Sequence, residues 1–421
     1  MKYNCDDCGG EMHEPRLCLV MFSPLDENEE SFHRISNLCA HCRGLKRVDV
    51  AKAYPPKARA LTRTMKAPLG YLFALELLKN RWVPYPVALS GKPLWLYGKG
   101  ELGQLAREFF CYVGVEVAGW FEQDEPAPLD AQVAVCIVRD SSYGAIERRL
   151  FERGFRDIVP FYDLADSVRG NHPLENGWIA RPTRADFEGI GRVMGCWEGL
   201  VSLAHYLNFL AWRILREEWI FDDINITKDN LFFIPEVVNV LHDHEMFLDG
   251  GAHHGEISER FSKLAPNARI VAVEPDDRNR AKFSRHHSWR VHDYALSDLD
   301  DFAKFAEGFG LCSKLTPDGN VQKMAYRIDS IGISPTFIKL HLEGGDLAAL
   351  RGAEKTLVRC RPIVAVRVDH NSDGLWKTAD YLMNLLPDYR FLFRNHCWCG
   401  SAAVVYAIPC ERERQALCIA A

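Results

Sequence analysis

Residues 245–275 limit what this chain can fold into more than any other stretch. They read Glu245-Met-Phe-Leu-Asp249-Gly-Gly-Ala-His-His-Gly255, then a helical segment, then Arg269-Ile-Val-Ala-Val-Glu274-Pro275. Met246-Phe247-Leu248 is short and apolar, as a strand covered on both faces of a parallel sheet must be. Gly250, Gly251 and Gly255 permit a sharp turn and let a ligand approach the backbone closely. Ile270 to Val273 forms the next strand and Glu274 stands at its carboxyl end. In open α/β sheets, ligands bind outside those ends. Strand, glycine loop, helix, strand and acid, in that order, require an α/β fold with a Rossmann-like parallel sheet.

The two acids select the class of ligand. A loop that cradles phosphate does not want a carboxylate beside it, yet Asp249 opens this loop. Asp249 therefore favours a ligand with positive charge or hydrogen-bond donors. Glu274 is placed to accept from both hydroxyls of a ribose. A ribose joined to a cationic amino-acid end describes S-adenosylmethionine. Asp249, Gly250, Gly251, Ala252, His253 and Glu274 are the expected contacts. Asp293 ends the third strand, Trp289-Arg-Val-His-Asp293, and is expected to meet the adenine amine.

At 421 residues the chain is too long for one ordinary domain. A net charge of −6 argues against a nucleic-acid partner. The N-terminus, MKYNCDDCGG, has no apolar core of a secretory signal. No run approaches the ~18 apolar residues of a membrane-spanning helix. The expectation is a cytoplasmic protein with no membrane span. In that setting 14 cysteines read as reduced thiols plus one metal site, not as a disulfide framework.

The metal site is expected in residues 1–50, a zinc-ribbon-like module. Cys5-Asp-Asp-Cys8 and Cys39-Ala-His-Cys42 are two CxxC knuckles about thirty residues apart. Four thiolates suit tetrahedral zinc and leave no open position, so the zinc is structural. Between the knuckles, Leu17 to Phe22 and His33 to Leu38 suit a small hairpin. The module is also a candidate surface for a protein carrier. Residues 51–90 read as a helical connector, with Tyr71, Leu72, Ala74, Leu75 and Leu78 on one face.

Residues 91–170 form a second, smaller Rossmann-like α/β unit. Pro93-Leu-Trp-Leu-Tyr97 leads into Gly98-Lys-Gly100-Glu-Leu-Gly103, a helix and a further strand ending in Glu122. This is the GxGxxG fingerprint of dinucleotide sites, and it supports a nucleotide-sugar oxidoreductase as an alternative function. The unit is half the size of a full dinucleotide domain and has no paired catalytic Tyr and Lys nearby. Residues 171–232 read as a helical connector or lid, continuous from 184 to 219. Residues 233–421 form the main domain.

A second constellation lies in that domain. Thr336-Phe-Ile-Lys339-Leu-His341-Leu-Glu343-Gly344 is a buried strand running into a glycine turn. By the two-residue period of a strand, Lys339, His341 and Glu343 share one face. Charge inside a central strand is costly, so this face is a candidate site. His341 has an unperturbed pKa near neutrality and is the candidate base. Glu343 would orient it, and Lys339 would stabilise an oxyanion or hold Glu343.

Phe247-Leu-Asp-Gly-Gly-Ala-His-His-Gly255, Val273-Glu-Pro275, Ile338-Lys-Leu-His-Leu-Glu-Gly344 and Leu350-Arg-Gly-Ala353 resemble the FkbM-type methyltransferases. The resemblance spans residues 233–409. It implies an S-adenosylmethionine-dependent O-methyltransferase acting on a hydroxyl of a sugar or glycan-like small molecule. His341 stands where the family pattern has aspartate, Asp346 where glutamate is common, and Arg367 where a neutral or acidic residue is more frequent. The cofactor half follows the pattern and the acceptor half departs from it. A non-catalytic scaffold on the same fold is therefore a further alternative.

Overall fold

A computed structural model describes residues 87–221, 224–226, 228–283 and 289–412, the helix Tyr71–Lys79, and the short strands Tyr3–Asn4, Glu11–Met12, Leu17–Met21, His33–Asn37 and Leu61–Met65. Leu17–Met21 pairs antiparallel with His33–Asn37, the hairpin expected between the cysteine knuckles. Cys5, Cys8, Cys39 and Cys42 lie outside the described residues.

The smaller α/β unit has four strands, β1 (Leu94–Tyr97), β2 (Val117–Phe121), β3 (Gln132–Val135) and β4 (Asp157–Pro160). They pair in parallel in the order β2-β1-β3-β4. Alternation sends Leu94, Leu96 and Ala134 to one face, against Phe109, Phe110 and Phe161. It sends Tyr97, Val133 and Val135 to the other, against Tyr143, Ile146 and Leu150.

The main domain is built on seven strands: β5 (Met246–Gly250), β6 (Arg269–Val273), β7 (Trp289–His292), β8 (Phe337–Leu340), β9 (Ile363–Arg367), β10 (Tyr389–Asn395) and β11 (Ala403–Pro409). Their order is β7-β6-β5-β8-β9-β11-β10. The first five are parallel, and β11 runs antiparallel to both β9 and β10. The strand order reverses at β5, so a crevice opens above its carboxyl end, where a doubly wound sheet binds its ligand.

Both faces of the central strands β5, β6, β8 and β9 are covered, which is why these strands are largely apolar rather than alternating. Phe247, Ile270, Phe337 and Ile363 pack beneath Phe233, Val237 and Phe261. Phe247 stacks on Phe261 with ring centroids 4.1 Å apart. Leu248, Val271, Ile338 and Val364 face the opposite layer, which includes Leu207, Leu350 and Leu382. No helix among the described residues is long and apolar enough to cross a membrane.

Two stretches differ from the sequence expectation. The helical run expected over 184–219 is two helices, Arg184–Met194 and Gly199–Leu215, followed by a strand, Glu217–Phe221. Arg216 takes a left-handed φ of 56°, which ends the helix. The new strand pairs in parallel with Leu61–Met65, inside the expected helical connector. Leu-Thr-Arg-Thr-Met carries two β-branched threonines, which favour extended backbone once a partner strand is present. The helix Gly199–Leu215 packs against β10: Asn395 N–H donates to His205 Nδ1 at 2.8 Å and its amide bonds Asn208. Its position is thus the sheet edge at β10, away from the crevice at β5. Within 171–183, by contrast, irregular chain reaches the crevice, where Glu175 pairs with Lys314 at 2.6 Å.

Candidate active site

The crevice is a cavity at the carboxyl ends of β5, β6 and β8, lined by Gly251, Glu274, His341 and Glu343 among others, the place where a doubly wound sheet binds its ligand. Its floor is backbone. Gly251 has φ +70°, and a Cβ there would lie 2.0 Å from the His341 carbonyl oxygen. Gly251 and Ala252 donate N–H bonds to the Val273 oxygen at 2.9 and 3.0 Å, which folds the loop down between β5 and β6. His253 lines the cavity with φ +52°.

Glu274 lies in the cavity wall and is 5 % exposed. Its Oε2 accepts the His253 N–H at 2.7 Å, and its Oε1 accepts the Asp276 N–H at 3.0 Å. Asn279 Nδ2 also approaches Oε1, at 3.5 Å; the three contacts aim the carboxylate and leave Oε2 open to a further donor. Burial raises its pKa, against the pull of these bonds. Asp276 ties down the opposite wall: its Oδ2 accepts from Gly308 N–H at 2.6 Å and from Ser313 Oγ at 2.5 Å. Gly310, Ser313 and Leu315 thereby close over the cavity from a small four-stranded sheet. That sheet includes the strand Asp301–Ala306.

Asp249 is placed elsewhere. It is fully buried beneath the glycine loop, where Oδ1 takes Lys339 Nζ at 2.8 Å and Oδ2 takes Ser258 Oγ at 2.7 Å. Lys339 Nζ also donates to the Gly251 oxygen at 2.7 Å and the Gly250 oxygen at 3.2 Å. The positive charge expected from a ligand is thus supplied by a lysine of the neighbouring strand, and the pair braces the loop from below. Gly250 and Ala252 are also outside the cavity lining. Asp293 is exposed and away from the cavity, which is lined at that point by Ala295 and Leu296.

The structure brings His341 and Glu343 together and leaves Lys339 out. A two-residue period holds only while the chain stays extended, and β8 ends at Leu340. Beyond it Glu343 adopts φ +50° and Gly344 φ +104°. That turn carries Glu343 back, so that its Oε1 lies 2.9 Å from His341 Nε2. Both line the cavity.

His370 completes the group. It follows β9, its Nε2 is 3.1 Å from His341 Nε2, and its Nδ1 is 3.2 Å from Glu343 Oε2 and 3.0 Å from Asn176 Oδ1. Burial lowers the pKa of His341 well below its ordinary value and that of His370 to about 3, and raises that of Glu343 to about 8. His370 is not among the residues that the sequence singled out. The rule that sites form at the carboxyl ends of parallel strands was the available signal.

The other glycine loop is occupied by its own side chains. Lys99 N–H donates to Glu122 Oε1 at 2.7 Å, and Lys99 Nζ meets Glu125 Oε1 at 2.8 Å. The acid that a dinucleotide ribose would need is engaged by the loop itself.

Residues 249–393 match the Methyltransferase FkbM domain family. The fold resembles that of methyltransferase FkbM from Methylobacillus flagellatus KT, at 17% identity and a TM-score of 0.54, over 80% of this chain and 98% of that one. A looser overlap, with a TM-score of 0.26 and 17% identity, is with precorrin-6y C5,15-methyltransferase from Geobacter metallireducens GS-15, over 45% of this chain and 95% of that one. The chain matches no curated protein sequence. Residues 249–393, which include most of the sheet and the crevice at its edge, are thus similar to the FkbM methyltransferase domain.

Proposed function

We propose that the cavity binds S-adenosylmethionine and that the protein methylates a hydroxyl of a sugar or glycan-like acceptor. The observation that carries this reading is one cavity with Glu274 in its wall and His341 and Glu343 two strands away, about 10 Å at ordinary strand spacing. Glu274 accepts from the ribose through the lone pair that remains open on Oε2. Gly251 and His253 present backbone to the ligand, since no side chain fits above Gly251. When bound, the cofactor supplies a methyl group already activated by its sulfonium sulfur, so the protein's task is alignment and proton removal.

His341 and Glu343 meet the acceptor. The hydroxyl oxygen forms its bond to the methyl carbon as the carbon–sulfur bond breaks, and the electron pair stays on sulfur. The hydroxyl proton is taken by His341, whose ring burial keeps neutral, with Glu343 Oε1 2.9 Å away to share it. Cys5, Cys8, Cys39 and Cys42 are proposed to hold a structural zinc, on the strength of their spacing. Incubation with the methyl-labelled cofactor and a panel of hydroxylated sugars tests the activity. Label should enter an acceptor with wild type and not with His341→Ala. Equal turnover by both proteins removes His341 from the mechanism.

A further inference from the structure

We propose that His341, Glu343 and His370 form a binding site for a divalent transition-metal cation at the acceptor end of the cavity. Among the described residues, these three offer donor atoms that all lie within 4.8 Å of one another. The closest separations are tighter: 2.9 Å from His341 Nε2 to Glu343 Oε1 and 3.1 Å between the two Nε2 atoms. Donors at about 2.0–2.2 Å from a shared ion, set about 90–109° apart, are separated by roughly 2.9–3.4 Å. Two of the three donor separations already have the spacing that a shared ion imposes, and the third lies within 4.8 Å.

The proton arrangement points the same way. His370 Nδ1 faces two oxygen acceptors, Asn176 Oδ1 and Glu343 Oε2, so it carries the ring proton. That leaves the Nε2 lone pair of a neutral His370 directed at His341 Nε2. Glu343 Oε1 is aimed at the same nitrogen. Without an ion, a single proton on His341 or Glu343 must serve the cluster. A cation in its place satisfies all three donors.

The surroundings hold the ligands as metal sites do. A ligating histidine normally donates its other N–H to a fixed oxygen, the position Asn176 takes. Asp369 fixes the chain next to His370: it accepts both Arg367 nitrogens at 2.6 Å and the Ala402 N–H at 2.9 Å, and its carbonyl takes Trp178 Nε1 at 2.9 Å. Glu343 is held in a left-handed conformation that costs a non-glycine residue energy. Two imidazoles and one carboxylate, with positions left open, suit zinc, iron or cobalt rather than magnesium.

The inference deepens the reading of this cavity as a methyl-transfer site. With a cation bound, His341 is a ligand rather than the base, and acidification of the acceptor hydroxyl falls to a Lewis acid. Binding itself does not depend on that reading.

The test is titration of the chelator-treated full chain with Co²⁺, followed by visible spectroscopy. Nitrogen and oxygen ligands give weak d–d bands, whereas the thiolates of the N-terminal knuckles give intense near-ultraviolet charge-transfer bands. The two kinds of site are therefore read separately. Wild type should show the weak bands at about one Co²⁺ per chain. They should be lost in Glu343→Gln and in His370→Gln. Asn176→Leu should weaken Co²⁺ binding about 10–100-fold.

Binding of S-adenosylhomocysteine, measured in parallel, reports on folding and on the cofactor site. Wild type without nitrogen–oxygen bands overturns the proposal, whatever the variants do. So do bands that persist in both ligand variants. Bands without adenosylhomocysteine binding would uphold the metal site and sink the methyltransferase reading.

Discussion

Lys339 Nζ lies 2.8 Å from Asp249 Oδ1, and both side chains are sealed from solvent beneath the glycine loop. Removing one partner of such a pair strands the other charge in the interior, at a cost of about 3–5 kcal/mol. Lys339→Met should therefore lower the unfolding free energy by about that amount in urea titrations. The double variant Lys339→Met/Asp249→Leu should recover part of the loss, because neither charge is left alone. Lys339→Met with wild-type stability and no turnover would instead return Lys339 to the chemistry.

Gly251 is the second point of sensitivity. Its φ of +70° and a virtual Cβ 2.0 Å from the His341 oxygen leave no room for a side chain. The contact is with backbone, so the loop itself must move. Gly251→Ala should abolish measurable binding of adenosylhomocysteine, whereas Gly100→Ala, with open space at its Cβ, should leave it unchanged. Retained affinity in Gly251→Ala would show that the loop does not floor the cofactor site.

These two residues also show what could be read in the chain before folding. Gly251 and Glu274 were legible because their roles are local: a turn that needs glycine, and an acid at a strand end. The Asp249–Lys339 pair joins residues 90 positions apart, and no local pattern says which strand will become the neighbour that brings a lysine to an acid at a loop. Glu343 illustrates a different limit. Its partner His341 was named from strand alternation, but the turn that brings them together breaks that alternation. His370 could be found only from its place past the carboxyl end of β9, and Asn176 enters through tertiary packing alone, so neither is given by residue spacing.

A pH dependence follows from a group remote from the cavity. His205 is buried against β10, and burial, followed by the charge of Arg394, lowers its pKa to about 3. The unfolded chain binds this proton near pH 6.5, whereas the folded chain does not. Stability is therefore full above about pH 6.5 and falls on acidification, because the unfolded state takes up more protons. The loss should reach a few kcal/mol by about pH 4. Denaturant titrations at several pH values check this, with His205→Gln expected to show a shallower acid slope. An identical slope in both proteins would assign acid sensitivity to other groups.

The central claim is that the cavity beside Glu274 takes S-adenosylmethionine. Isothermal titration of wild type and Glu274→Gln with S-adenosylhomocysteine tests it most directly. The product analogue keeps the ribose and the amino-acid end but cannot react. A hydrogen bond to a charged carboxylate contributes about 1.5–3 kcal/mol, so saturable binding by wild type should weaken roughly tenfold or more in the variant. No binding by wild type, or equal affinity in both proteins, would contradict the account.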